Sequence, residues 1–109
     1  MKKFVAIVDP ELATGFRLAG IETIEVSTKE KAWEKLRQVF HSSEEEWGLV
    51  AINEDFLVDT PDDLEKEMRI RPVPIVIPIP VLKEGKVRGG EEYIAGLVKE
   101  CIGYYVKLR

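Results

Sequence analysis

The sequence predicts an α/β protein built on a single-domain, open parallel four-stranded sheet in the order 2-1-3-4, with flanking helices and a C-terminal helix. Three observations predict it. Residues 4–8 form a continuous apolar run, as in a strand buried on both faces, and further strands are expected at 49–52 and 73–79. Helix-start signals follow such runs: Asp9-Pro10, Ser27 with Glu30, and Thr60-Pro61. Strands and helices therefore alternate through short connections, and that pattern calls for parallel strands with right-handed crossovers.

Each element has its own local reason. Asp9 supplies an N-cap oxygen, and Pro10 sits at the first helical position, where its missing N–H costs nothing. Gly20 closes this short helix just past its end. The second strand is expected at residues 23–26. Ser27 and Glu30 then form a capping box, which satisfies two orphan amides reciprocally. Ala32, Trp33, Leu36, Val39 and Phe40 fall on one stripe of the following helix. The third strand, residues 49–52, is flanked by Gly48 and Asn53. Thr60-Pro61-Asp62-Asp63 is a further cap-plus-proline start, with Leu64 and Met68 one turn apart in the helix it opens. In the fourth strand, Pro72, Pro74, Pro78 and Pro80 all stand at even positions. Successive strand N–H groups point to alternate sides, so every missing donor faces one lateral direction. That marks an edge strand whose open side is blocked by proline. The last helix is expected at residues 91–106. The whole resembles a shortened flavodoxin-like or receiver-like sheet.

Composition bounds the reading. At 109 residues, 45% hydrophobic and 33% charged, the chain fits one ordinary globular domain with a real core. We expect an α/β core over 1–80, a loop over 81–90 and a C-terminal helix over 91–109. With 16 basic against 20 acidic residues the net charge is −4, and no Lys/Arg block supports nucleic-acid binding. No apolar run approaches the ~20 residues of a membrane span, so direct insertion is not expected. The basic start Met-Lys-Lys-Phe has an apolar stretch that ends at Asp9, too short for a signal peptide. The single cysteine, Cys101, excludes an internal disulfide framework and fits a reducing compartment.

Three strings carry a resemblance. They are Thr14-Gly15-Phe16-Arg17-Leu18-Ala19-Gly20-Ile21 after the first strand, the basic and proline-rich approach to the last strand, Met68-Arg69-Ile70-Arg71-Pro72-Val73-Pro74-Ile75-Val76-Ile77-Pro78-Ile79, and the ending Ile102-Gly103-Tyr104-Tyr105-Val106-Lys107-Leu108. In this order they resemble the F subunit of rotary A/V-type ATPases, a small component of the central stalk. The resemblance covers nearly the whole chain. Residues 83–90 and 42–47 match nothing in the family pattern. It implies a non-catalytic rotor subunit with no cofactor, which couples ATP hydrolysis or synthesis to proton or sodium transport. It also implies partners: the helical-hairpin D subunit, the catalytic head and the membrane rotor. The implied place is cytoplasmic, peripheral to the membrane in a membrane-bound complex.

Other candidate sites fall short on their residues. Gly15 and Gly20 have the spacing of a phosphate-binding loop, but Ile21 and Glu22 stand where Lys and Ser/Thr are needed, and the acid would repel phosphate. A receiver domain needs an acidic pair after its first strand. It also needs an acceptor Asp after the third and a Ser/Thr after the fourth. Here Asp9 stands before Pro10, Asn53 precedes Glu54 and Asp55, and Pro80 follows the fourth strand. N-capping accounts for Asp9. Glu44-Glu45-Glu46 reads as a solvated turn. One histidine, His41, and one cysteine are too few for a zinc site. Cys101 lies among Val98 and Ile102, apolar company that suits a buried thiol rather than a nucleophile.

The final helix carries the candidate partner-binding residues. Ile94, Val98, Cys101, Tyr105 and Leu108 recur at 4-3-4-3 spacing, a coiled-coil-like seam. Tyr93, Leu97 and Tyr104 widen it on one flank; Ala95, Ile102 and Val106 widen it on the other. The apolar arc spans roughly 220°, about twice that of an ordinary surface helix. Either the helix packs deeply into its own domain, or it is shared with a partner. The resemblance favours sharing, through the hairpin of the D subunit. A degenerate receiver-like signalling or protein-interaction domain is the alternative. A small enzyme for a phosphorylated ligand stands behind it.

Overall fold

The computed structural model describes residues 3–42, 47–80 and 96. Within them four strands form one parallel sheet, in the order β2-β1-β3-β4. In chain order the elements are β1 (Lys3–Val8), α1 (Pro10–Leu18), β2 (Glu22–Glu25), α2 (Lys29–Phe40), β3 (Trp47–Asn53), a 3₁₀ turn (Glu54–Leu57), α3 (Asp62–Ile70) and β4 (Ile75–Ile79). This is the order and strand direction expected from the alternating pattern. The loop expected over 81–90 and the C-terminal helix expected over 91–109 lie outside the described residues, apart from the helical Gly96.

The two central strands are buried on both faces, which is why they read as continuous apolar runs. The register aligns Ala6 with Ala51 and Ile7 with Ile52, so side-by-side neighbours share a face. Val5, Ile7, Val50 and Ile52 meet the α2 stripe of Ala32, Leu36, Val39 and Phe40 on one side. Ala6, Val8 and Ala51 meet Leu12, Ala13 and Phe16 of α1 on the other. Small residues at the centre of the second face leave room for the Phe16 ring, which is fully buried and lies edge-on to Phe4 with centroids 6.5 Å apart.

The caps of α1 form as expected. The Asp9 side chain accepts a hydrogen bond from the Leu12 N–H at 2.9 Å, and Pro10 opens the helix. At the far end, Gly20 N–H donates to the Arg17 carbonyl and Ile21 N–H to that of Phe16. This is the Schellman closure, and it requires the left-handed φ of +80° that Gly20 adopts.

Other boundaries differ from the sequence reading. β2 spans Glu22–Glu25, one residue earlier than expected, with Val26 N–H still donating to the Val8 carbonyl. Two residues are then needed for the turn, so Thr28 rather than Ser27 caps α2, accepting from Lys31 N–H. The Ser27–Glu30 capping box does not form. At α3, Pro61 keeps an extended ψ of 147° and takes the cap position without a side-chain bond. The Thr60 hydroxyl donates instead to the Leu57 carbonyl at 2.6 Å, closing the preceding turn. β3 is longer than expected and begins at the buried Trp47, over which the Lys3 ammonium sits 5.7 Å from the ring centroid.

β4 is shorter than expected, so Pro78 alone of the four prolines lies within it. Among the described residues β4 pairs with β3 alone, and Pro78 aligns with Ile52. Pro78 has no N–H to give, so the ladder to β3 runs through Ile77 and Ile79. The open side of the strand is the proline side, as the even positions predict.

Candidate functional site

In open parallel sheets, ligands bind outside the carboxyl ends of the strands. Here that end is formed by the β1–α1 turn at Asp9, the start of α2 at Thr28 and the segment from Asn53 to Thr60. Register brings the carboxyl ends of β1 and β3 side by side, because Ile7 aligns with Ile52. Asp9 and Asn53 then meet as a reciprocal pair. Asp9 N–H donates to Asn53 Oδ1 at 3.0 Å, and Asn53 Nδ2 donates to Asp9 Oδ2 at 2.8 Å. The other Asp9 oxygen holds the Leu12 amide. Both carboxylate oxygens are therefore engaged, and Asn53 is 1% exposed.

N-capping thus accounts for only half of Asp9. Sequence reasoning placed Asn53 after the third strand and missed its partner. The available signal was a polar residue ending each of two adjacent central strands, one an acceptor and the other a donor–acceptor amide.

The rest of this end is tied down by polar contacts. Trp33 Nε1 donates to the Phe56 carbonyl at 2.8 Å. Lys29 lies over the Trp33 ring and 3.5 Å from Asp59, the one described non-glycine residue with positive φ. Gly15 sits inside α1 rather than in a loop, so the glycine pair does not frame a phosphate cradle. Among the described residues no three His, Cys, Asp or Glu side chains converge in a way that could hold a metal. No described helix is long and apolar enough to cross a membrane.

A second polar region joins α2 to α3. Arg37 makes a two-pronged contact with Asp63, with both nitrogen–oxygen distances 3.2 Å. Hydrogen bonding to the guanidinium holds the Asp63 carboxyl below its ordinary range, and the same bond raises Arg37. His41 Nε2 lies 3.1 Å from Glu67, which Arg71 also approaches at 3.5 Å. Arg71 Nη1 donates to the Phe40 carbonyl near the end of α2.

The residues singled out for partner binding, Tyr93, Ile94, Leu97, Val98, Cys101, Tyr104, Tyr105 and Leu108, lie outside the described residues. On the α1 face of the sheet, Ala51 and Ile79 are 0% and 1% exposed and share one apolar cluster with Leu12, Ala13 and Phe16.

Comparison with known proteins decides the family. The pattern of the ATP synthase (F/14-kDa) subunit matches residues 4–98. The chain belongs to the family of F/14-kDa ATP synthase subunits. The V-type ATP synthase F subunit of Thermus thermophilus is 39% identical over 103 residues, covering 94% of this chain and 97% of the relative. The A-type ATP synthase F subunit of Methanosphaera stadtmanae is 30% identical over 105 residues, covering 94% and 95%. The crystal structure of the Archaeoglobus fulgidus V-type ATP synthase F subunit superposes with a TM-score of 0.64. At 24% identity, over 72% of this chain and 96% of that one, it shows a shared fold. The chain is thus an F subunit of the V/A type, a non-catalytic part of the ATP synthase complex.

Proposed function

We propose that this chain is a central-stalk rotor subunit that binds the helical-hairpin D subunit through its C-terminal segment, residues 91–109. In that position it couples ATP turnover in the catalytic head to proton or sodium transport by the membrane rotor, and it works at the cytoplasmic surface of the membrane. The observation that carries this reading is the 39% identity with a V-type F subunit across 94% of the chain.

Two features of the chain support it. The Asp9–Asn53 pair occupies the carboxyl end of the sheet with contacts internal to the fold, so that end serves the scaffold. The sequence of residues 91–109 also carries an apolar arc wider than a single packing face requires.

The test separates docking from folding. On the helix expected there, Tyr104 falls on the flank of the seam, with Glu100 and Lys107 three or four residues away in sequence. Tyr104→Ala should weaken binding to a D-type hairpin by ten-fold or more while the melting temperature stays almost unchanged. A large fall in melting temperature with unchanged affinity of the folded fraction would make the segment part of the core instead. A pull-down from native membranes that returns no helical-hairpin protein would remove the reading altogether.

A further inference from the structure

α3 is held differently from the other helices. Of its nine residues only Leu64 is buried, with Met68 partly buried against the same cluster. α1, of equal length, buries Leu12, Ala13 and Phe16, and α2 buries four side chains. The α3 N-terminus has no side-chain cap. Among the described residues its side-chain polar ties run to α2 through charged groups near the surface. Arg37 grips Asp63 in the first turn, His41 meets Glu67 one turn on, and Arg71 bridges Glu67 and the Phe40 carbonyl just past the last turn. The Asp63 and His41 side chains are 69% and 58% exposed.

One buried leucine and a few exposed, salt-screened ion pairs hold a helix far less firmly than the fully buried strands beneath it are held. We propose that α3 is a flap, a single opening unit that lifts from α2 while the sheet, α1 and α2 stay folded. Opening breaks the polar contacts with α2 and exposes the part of the core cluster under Leu64 and Met68. The chain on either side of the helix permits this. Val58 is 54% exposed and Asp59 has a left-handed φ of 60° on one side, and Arg71 and Pro72 are exposed on the other.

Native-state hydrogen exchange on the full chain tests the flap, with residue-resolved readout at low denaturant. The amides of residues 66–70 donate within the helix and should exchange as one group. Their protection should be at least ten-fold below that of β1 and β3. Raising KCl to about 1 M screens exposed ion pairs and should speed this group several-fold further, leaving the α2 amides unchanged. Protection equal to that of β3 would overturn the proposal. So would a graded loss running inward from Ile70, which is end-fraying, or a rate indifferent to salt. Asp63→Asn with Glu67→Gln should reproduce the salt effect at low salt, with far-UV circular dichroism confirming that the fold persists. A folded double variant with wild-type exchange at residues 66–70 would likewise overturn it.

Discussion

Replacing Asn53 by alanine removes both of its hydrogen bonds to Asp9 and leaves the rest of β3 in place. Asn53 is 1% exposed and gives up a donor to the Asp9 carboxylate at 2.8 Å and an acceptor for the Asp9 amide at 3.0 Å. A hydrogen bond to a charged group contributes about 1.5–3 kcal/mol, and an amide left without a partner costs about 1–3 kcal/mol. The two do not add fully, because Asp9 is only half-buried and water can reach part of the site. The expected loss is about 2–3 kcal/mol. At about 4–8 °C per kcal/mol for a domain near this size, the melting temperature falls by about 10–20 °C.

Urea unfolding followed by circular dichroism reads the loss directly, with the m-value held constant as a control. Asn53→Asp supplies the second arm. It sets a carboxylate where an amide now donates to Asp9, and two carboxylates held together share a proton more readily than either does in the unfolded chain. The destabilisation should therefore grow as pH rises through the titration of the pair and be relieved below it. A loss under about 0.5 kcal/mol for Asn53→Ala, or a pH-independent Asn53→Asp, would refute the argument that this pair locks the carboxyl ends of β1 and β3.

Four further outcomes are expected. Gly20→Ala meets no atom within 4 Å of its new Cβ, so its cost is the left-handed backbone alone, about 1–2 kcal/mol by urea unfolding. Asp63→Asn should flatten the acid limb of the stability curve: the carboxyl is lowered from 3.8 by Arg37, so its stabilisation is present above that value and is lost as pH falls through the folded one. Pro78→Thr returns an outward N–H to the edge of β4, and ultracentrifugation should show stronger concentration-dependent self-association than in the parent chain. Calorimetric titration with ATP and Mg²⁺ should give no heat of binding; micromolar affinity lost on Gly15→Val would reverse that reading.

Much of the fold was legible because local and long-range signals agree. Residues 4–8 and 49–52 are apolar on both alternating faces, and a strand is apolar on both faces only between helical layers. Asp9-Pro10 and Gly20 each fix a helix end through one backbone requirement. The positions of Ser27 and Thr60 were misread for a shared reason. Each competes with a neighbour for the cap, and the winner depends on where the preceding strand or turn releases the chain. The short 3₁₀ turn at Glu54–Leu57 has no periodic signature at all. The Asp9–Asn53 pair needed the register of β1 against β3, which spans 44 residues of sequence and cannot be read from either segment alone.

That pair also explains why this end of the sheet stabilises the fold rather than reacting. In a parallel sheet of this order the carboxyl ends of the central strands are the natural place for chemistry, because helix N-termini and strand ends converge there. A reactive acid in that position needs free oxygens and an open approach. Here one Asp9 oxygen is spent on the start of α1 and the other on Asn53, and Asn53 spends its own oxygen on the Asp9 amide. Each group satisfies the other, so the site that could bind a ligand instead fixes β1, α1 and β3 as one block. The loop beyond it is fixed to α2 by Trp33 and Lys29. In a block of this kind the strand ends and the start of α1 cannot shift independently, so the pair contributes to the stability of the whole sheet rather than to chemistry at its edge.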